Sequence, residues 1–301
     1  MTEGLRLRLY YALAGVLAWL AYGVLGLRRS VVRGNLESSF PGWTAAEHRA
    51  ARREFARRQG EVAAEVLYAE HIDAAELRAR VTLLNPQVIA GAAPPRPLVL
   101  VGAHHGNFEW MLLRASLEFG DRLIGLYKPL RQPGIDARMK AMRSRFGARL
   151  VPAKSVLREL ADFRGAAAIG LIADQVPRTS PDKHWVTFLG QDTAFYMGPE
   201  LLGRALRSQV VLAKMRRLER GRYELEFEPL NEPGEKMAGG EITSRYARAL
   251  ESWIREDPPG WWWSHRRWKL QRGIRADASS RPPRWRPRAG GSRRQAPVTI
   301  R

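Results

Sequence analysis

Cysteine is missing from all 301 residues, which excludes disulfide cross-links and thiolate catalysis and leaves stability to burial and hydrogen bonding. Acidic residues are scarce beside basic ones, 30 against 50, and the net charge of +20 favours an anionic partner. The histidines lack metal-ligand spacing. HExxH is absent, and His48, His71, His184 and His265 stand apart from the pair His104-His105, so no metal and no cofactor is expected. There is no internal repeat. No RRM, zinc-finger or KH signature accompanies the basic charge, which argues against nucleic acid as a partner.

One long stretch lacks charge altogether. Nineteen residues from Leu9 to Leu27 carry none, and at about 1.5 Å per helical residue they cover most of a roughly 30 Å hydrocarbon layer. Residues 1–30 therefore read as an N-terminal membrane anchor, a transmembrane helix in the first instance. A signal peptide fits less well, because Arg28-Arg29 stand where a small-residue cleavage site belongs. A helix lying in the membrane interface is compatible with the same residues. The basic residues that follow, Arg33, Arg49, Arg52, Arg53, Arg57 and Arg58 among them, put the main domain on the cytoplasmic face. At the other end, residues 271–301 hold nine Arg against the single Asp277, mixed with Pro, Gly and Ser. That composition reads as a disordered basic tail, suited to an anionic bilayer surface. Residues 31–270 remain for a single α/β domain with a mixed sheet flanked by helices.

Within that domain, Pro97 to Ala103 is a short branched-apolar run of buried-strand type, followed by Phe108, Met111, Leu112, Ala115 and Phe119 at helical spacing. Between strand and helix stands His104-His105-Gly106-Asn107-Phe108-Glu109. Ligands bind at the carboxyl ends of strands in open α/β sheets. Asn107 is the expected N-cap, which sets Glu109 in the first helical turn. His104 is the candidate general base. Glu109 is expected to accept the proton on one ring nitrogen, and Gly106 to leave room for substrate.

Three further segments supply candidates. Gly134 to Phe146 reads as a helix whose Arg143 and Arg145 suit an anion or a developing negative charge. Ala166 to Ala173 reads as another buried strand, ending at Asp174-Gln175 on the same sheet edge as His104. Trp261 to Lys269 interleaves aromatic and basic residues, His265, Arg266 and Arg267 included, in a pattern open to base stacking, a lipid interface or core aromatics beside a phosphate site.

The order of these motifs resembles the lipid A late acyltransferases, within the bacterial lysophospholipid-type acyltransferases. The resemblance runs from the N-terminal anchor to about Lys269. It rests on HHGNFE, on YKP at Tyr127 to Pro129, on RxRxG at Arg143 to Gly147, on Asp174-Gln175, on WSHRRWK at Trp263 to Lys269, and on NLESSFP at Asn35 to Pro41. It implies a glycerolipid acyltransferase-like fold and transfer of a fatty acyl chain from acyl carrier protein to a hydroxyl of a membrane glycolipid at the bacterial inner membrane. It also implies catalytic roles for His104, Glu109, Arg143 and Asp174, with Asn107, Arg145, Gln175, His265, Arg266 and Arg267 as substrate-binding candidates. Lys128 departs from the family's usual Arg, and Val176 to Phe195 differs from the best-known lipid A enzymes. Another glycolipid or aminolipid acceptor and an acyl coenzyme A donor are the neighbouring readings. A membrane-tethered binder of anionic ligands without chemistry, and a hydrolase using the same residues on water, are the readings from other classes.

Overall fold

In the computed structural model the described residues are 3–92, 96–162, 165–177 and 182–272, so most of the basic tail, from residue 273 on, lies outside them. The chain opens with helix α1 (Glu3–Ala18), which continues as a π-helical turn, Trp19–Val24. Helices α2 (Arg29–Ser39), α3 (Ala45–Tyr68) and α4 (Ala74–Arg80) follow, then the short strand β1 (Val81–Leu83) and helix α5 (Gln87–Ala90). The central stretch alternates: β2 (Leu98–Gly102), α6 (Phe108–Phe119), β3 (Leu123–Tyr127), α7 (Pro133–Arg143), β4 (Arg149–Pro152), α8 (Val156–Asp162) and β5 (Ala168–Ile172). The hairpin β6 (Lys183–Phe188) and β7 (Gln191–Tyr196) precedes α9 (Gly198–Leu206), β8 (Val210–Glu219), β9 (Arg222–Pro229) and α10 (Glu241–Glu256).

Seven strands form one sheet in the order β1-β9-β8-β2-β5-β3-β4. Strands β8, β2, β5, β3 and β4 run parallel, and β9 turns back antiparallel to β8 with β1 beside it. The architecture is the mixed α/β sheet flanked by helices that the sequence predicts. All five residues of β2 are buried, as its unbroken apolar run requires of a strand covered on both faces.

The sheet register sets up the site. Gly102 of β2 pairs with Ile172 of β5. Two residues beyond each strand end stand His104 and Asp174, so parallel pairing delivers an imidazole and a carboxylate side by side at the carboxyl edge. Tyr246 of α10 fastens this edge, its hydroxyl donating to the Gly102 carbonyl at 2.9 Å.

The apolar N-terminal segment packs against the body of the protein. Leu7 is buried in the main core, Tyr11 reaches Glu65 of α3, and Ala14 and Ala18 lie against Gly60. A side chain at Gly60 would come within 2.7 Å of the Ala18 Cβ, so the glycine is what lets the two helices approach. Leu5–Val24 is one helix long and apolar enough to cross a membrane.

Candidate active site

His104 Nδ1 lies 2.7 Å from Asp174 Oδ1, and the His104 backbone amide donates to Oδ2 of the same carboxylate at 3.1 Å. The Trp261 indole donates to that Oδ2 at 2.8 Å. Asp174 is thus fully enclosed with three donors around it. Burial pushes its carboxyl upward, but the His104 charge and these hydrogen bonds outweigh it and hold the pKa down to about 2. For His104, burial favours the neutral ring; the Asp174 charge and hydrogen bond overcome it and raise the pKa above the ordinary histidine value. With Nδ1–H donated to a carboxylate, Nε2 is left as the basic nitrogen. The Gln175 amide donates to it at 3.2 Å.

The sequence reading paired His104 with Glu109, and here the structure corrects it. Glu109 is taken by Arg143 in a two-pronged ion pair, Nε to Oε2 at 2.8 Å and the terminal nitrogen to Oε1 at 2.5 Å. The reason is directional: Asn107 caps α6 as expected, its side chain accepting from the Trp110 amide. The first turn of α6 then carries Glu109 toward α7, whereas Asp174 arrives at His104 through the neighbouring strand. Glu109 still contributes a negative charge near the imidazole, and Arg143 an opposing positive one.

His104 and the Glu109–Arg143 pair line one cavity of about 1030 Å³, with Asp174 buried behind the imidazole. From His104, Gln175 and the Glu109–Arg143 pair, its wall continues along apolar residues such as Leu112, Leu171, Leu202 and Phe227, and past Gly125 and Gly170 of the sheet. Lys128 and Arg131, in the turn after β3, also face it.

The second histidine is structural. His105 is buried, packs tilted against Trp253 with ring centroids 4.4 Å apart and donates from Nε2 to the Asp257 carbonyl at 3.0 Å. Burial drives its pKa down to about 4, so the ring is neutral. Gly106 has φ +62°, and a Cβ there would meet the Met215 carbonyl at 3.3 Å. Its glycine answers to backbone conformation and packing rather than to room for a substrate.

The tryptophan-rich segment belongs to the core and to the site. Trp262 N donates to the His104 carbonyl and Gly106 N to the Gly260 carbonyl, both at 3.0 Å, so this segment bridges to the His-His-Gly turn in antiparallel fashion. Trp262 meets the His104 ring edge-on at 5.4 Å, and Phe108 does so at 4.8 Å. Asn35, from the NLESSFP stretch, donates to the carbonyls of Trp263 and His265, each at 2.8 Å. Two motifs 228 residues apart thereby meet. Trp261 is the residue that the sequence pattern held without revealing: its place in a triple tryptophan marked the segment, not its hydrogen bond.

Other candidates sit elsewhere. Asn107 is wholly buried, donating to Glu65 at 2.8 Å. Arg145 donates to the Ala69 carbonyl at the end of α3 and is not part of the cavity wall. Arg267 is buried, donating to the Ala194 carbonyl at 2.8 Å with its guanidinium 4.4 Å over Phe195. Burial brings its pKa down to about 10. Arg266 is exposed and His265 is half-buried. None of the three is part of the cavity wall. Among the described residues no group of three or more His, Asp or Glu side chains is arranged to hold a metal ion.

A histidine held by a buried carboxylate thus faces a cavity whose wall is mostly apolar. The family model described as bacterial lipid A biosynthesis acyltransferase matches residues 7–270. The chain belongs to this family of acyltransferases. No curated protein matches it.

Proposed function

We propose that the protein moves a fatty acyl chain from an acyl carrier protein thioester to a hydroxyl of a lipid A-type glycolipid, at the cytoplasmic face of the bacterial inner membrane. The observation that carries the reading is the His104–Asp174 pair opening onto a cavity of about 1030 Å³ whose wall is mostly apolar. That volume is at the upper end for small-molecule sites and suits an acyl chain.

In this reading His104 Nε2 takes the proton of the acceptor hydroxyl as its oxygen attacks the thioester carbonyl carbon. The carbonyl electrons move onto oxygen, and Arg143 is the nearby cation suited to that charge. Collapse of the tetrahedral species breaks the C–S bond, and the departing thiolate takes the proton back from the imidazolium. Asp174 holds the ring tautomer and stabilises the cation between the two transfers. A thioester is already activated, so no acyl-enzyme is needed. Lys128, Arg131 and the overall positive charge suit both an acidic carrier protein and the anionic groups of a glycolipid or bilayer.

The test is transfer of labelled acyl chains by the full chain into extracted membrane lipids, offered from carrier protein or from coenzyme A, with mass spectrometry of the lipid. A glycolipid that gains a chain with the intact enzyme and not with His104→Ala supports the proposal. Donor hydrolysis that proceeds without any lipid acceptor would make the protein a hydrolase. No turnover of either donor would move a non-catalytic binder of anionic ligands ahead.

A further inference from the structure

The apolar N-terminal helix is docked lengthwise. Leu7 is buried in the core, the Tyr11 hydroxyl donates to Glu65 at 2.8 Å, Ala14 and Ala18 close on Gly60, and the Tyr22 ring lies 5.8 Å from Phe55. As the first helix ascends from Tyr11 to Tyr22, its contacts descend α3 from Glu65 to Phe55. The two helices are therefore antiparallel along roughly 15 Å at the usual helical rise. The opposite side of α1 carries Leu5, Leu9, Leu13, Val16 and Leu17, and the π-helical turn adds Trp19, all exposed.

Crossing a membrane in this arrangement would take the adjoining half of α3 into hydrocarbon. That half holds Arg57, Arg58, Glu54 and Glu61, tied to one another and to Asp257 and Arg217 of the body by ion pairs. Charges at that depth are strongly disfavoured. Turned parallel to the bilayer, the same helix buries its uncovered apolar side among acyl chains while α3 stays in water. Arg6 and Arg8 at one end and Arg28 and Arg29 at the other are exposed and within reach of anionic headgroups.

We propose that α1 lies in the plane of the membrane surface, docked on α3, with both of its ends on the side that holds the α/β body. The partner is an anionic lipid bilayer, and the inference rests on the membrane association in the proposed function. It makes the protein monotopic. Through Tyr11 and Glu65 it also joins the embedded helix to Asn107, the cap of the helix behind His104.

The absence of cysteine makes the test direct. Full-length Leu5→Cys, Leu13→Cys and Leu20→Cys carry an environment-sensitive fluorophore in phosphatidylethanolamine–phosphatidylglycerol vesicles, and spin-labelled lipids report depth. The expected result is the same shallow depth at all three. A middle position much deeper than both ends would mean a spanning helix and overturn the proposal. Sidedness gives an independent reading: in sealed vesicles an impermeant maleimide should reach Arg6→Cys from the same side as Arg158→Cys, and labelling from opposite sides would overturn it. Recovery of the chain away from the vesicles would overturn the membrane reading beneath it.

Discussion

Asp174 Oδ1 sits 2.7 Å from His104 Nδ1 across 70 residues of sequence, and the pairing is fixed by parallel strands whose last residues are in register. A base held this way carries its proton more tightly than a free histidine. Activity that needs neutral Nε2 should therefore rise with pH through a value above 6.5. Asp174→Asn removes both the charge and the charge-assisted bond while burial remains. The acidic limb of kcat/KM should move to lower pH, and the plateau rate should fall by about 10²–10⁴-fold. A limb unmoved by Asp174→Asn would detach the carboxylate from the base.

Stability follows the same pair with opposite signs. The His104 contribution is full below its unfolded pKa near 6.5 and is lost as pH rises through the higher folded value. The Asp174 contribution is present above its unfolded value of 3.8 and is lost as pH falls toward about 2. Chemical denaturation at pH 3, 6 and 9 should show Asp174→Ala losing most, relative to the parent, at pH 6.

Glu109 is bonded to Arg143 rather than to the imidazole. Removing it strands a guanidinium that is only 19% exposed, at a cost of about 2–3 kcal/mol, between the values for surface and buried pairs. Glu109→Ala and Arg143→Ala should be strongly non-additive in a double-mutant cycle. Their pH profiles should keep the acidic limb far closer to the parent than Asp174→Asn does. Additive losses in stability and rate would show that the two side chains work separately.

Local features were the legible ones. The buried run of β2, the Asn107 cap and the apolar spacing of α6 are contained within one element each, so the sequence reveals them. The partner of His104 was not local. Choosing Asp174 over Glu109 requires knowing that β5 lies beside β2, an order the chain sets through contacts far apart. Strand β4 is four residues at the sheet edge, with Arg149 and Pro152 interrupting any apolar pattern. Helix α3 is so rich in charge that its buried stripe, Ala51, Phe55, Ala64 and Tyr68, is diluted. The triple tryptophan is equally suited by pattern to lipid, bases or core, and only the fold divides it, with Trp261 and Trp263 buried in the core and Trp262 exposed beside His104.

The cavity wall yields a prediction on chain length. Gly170 lies in register between Leu100 and Gly125, and a Cβ placed there meets nothing nearer than Leu123 Cδ1 at 3.9 Å. A larger side chain thus grows into the cavity rather than into the sheet. Gly170→Leu should shift the transferred chains toward shorter lengths with the acceptor unchanged, and Gly170→Ala should lie between. Mass spectra of the product lipid with mixed-length donors would show it, and an unchanged length profile at reduced rate would place the chain elsewhere.

Glu65 ties the molecule together from within. Its carboxylate is wholly buried and accepts from Tyr11, Asn107 and Tyr223 at 2.8, 2.8 and 2.6 Å. Burial raises its pKa and the three donors only partly offset this. A carboxyl raised in this way destabilises the fold as pH climbs from its unfolded value of 4.5 through the folded one, because the unfolded chain ionises first. Glu65→Gln abolishes that slope but turns an amide toward donors, leaving at least one unsatisfied at about 1–3 kcal/mol. Tyr11→Phe removes a single donor and should lose about 0.5–1.5 kcal/mol, leaving the Asn107 cap in place. The pair separates two roles. If Glu65 positions the His104 turn through Asn107, Glu65→Gln lowers kcat with little change in KM while Tyr11→Phe leaves kcat near the parent; equal kcat in both variants would leave Glu65 a role in stability alone.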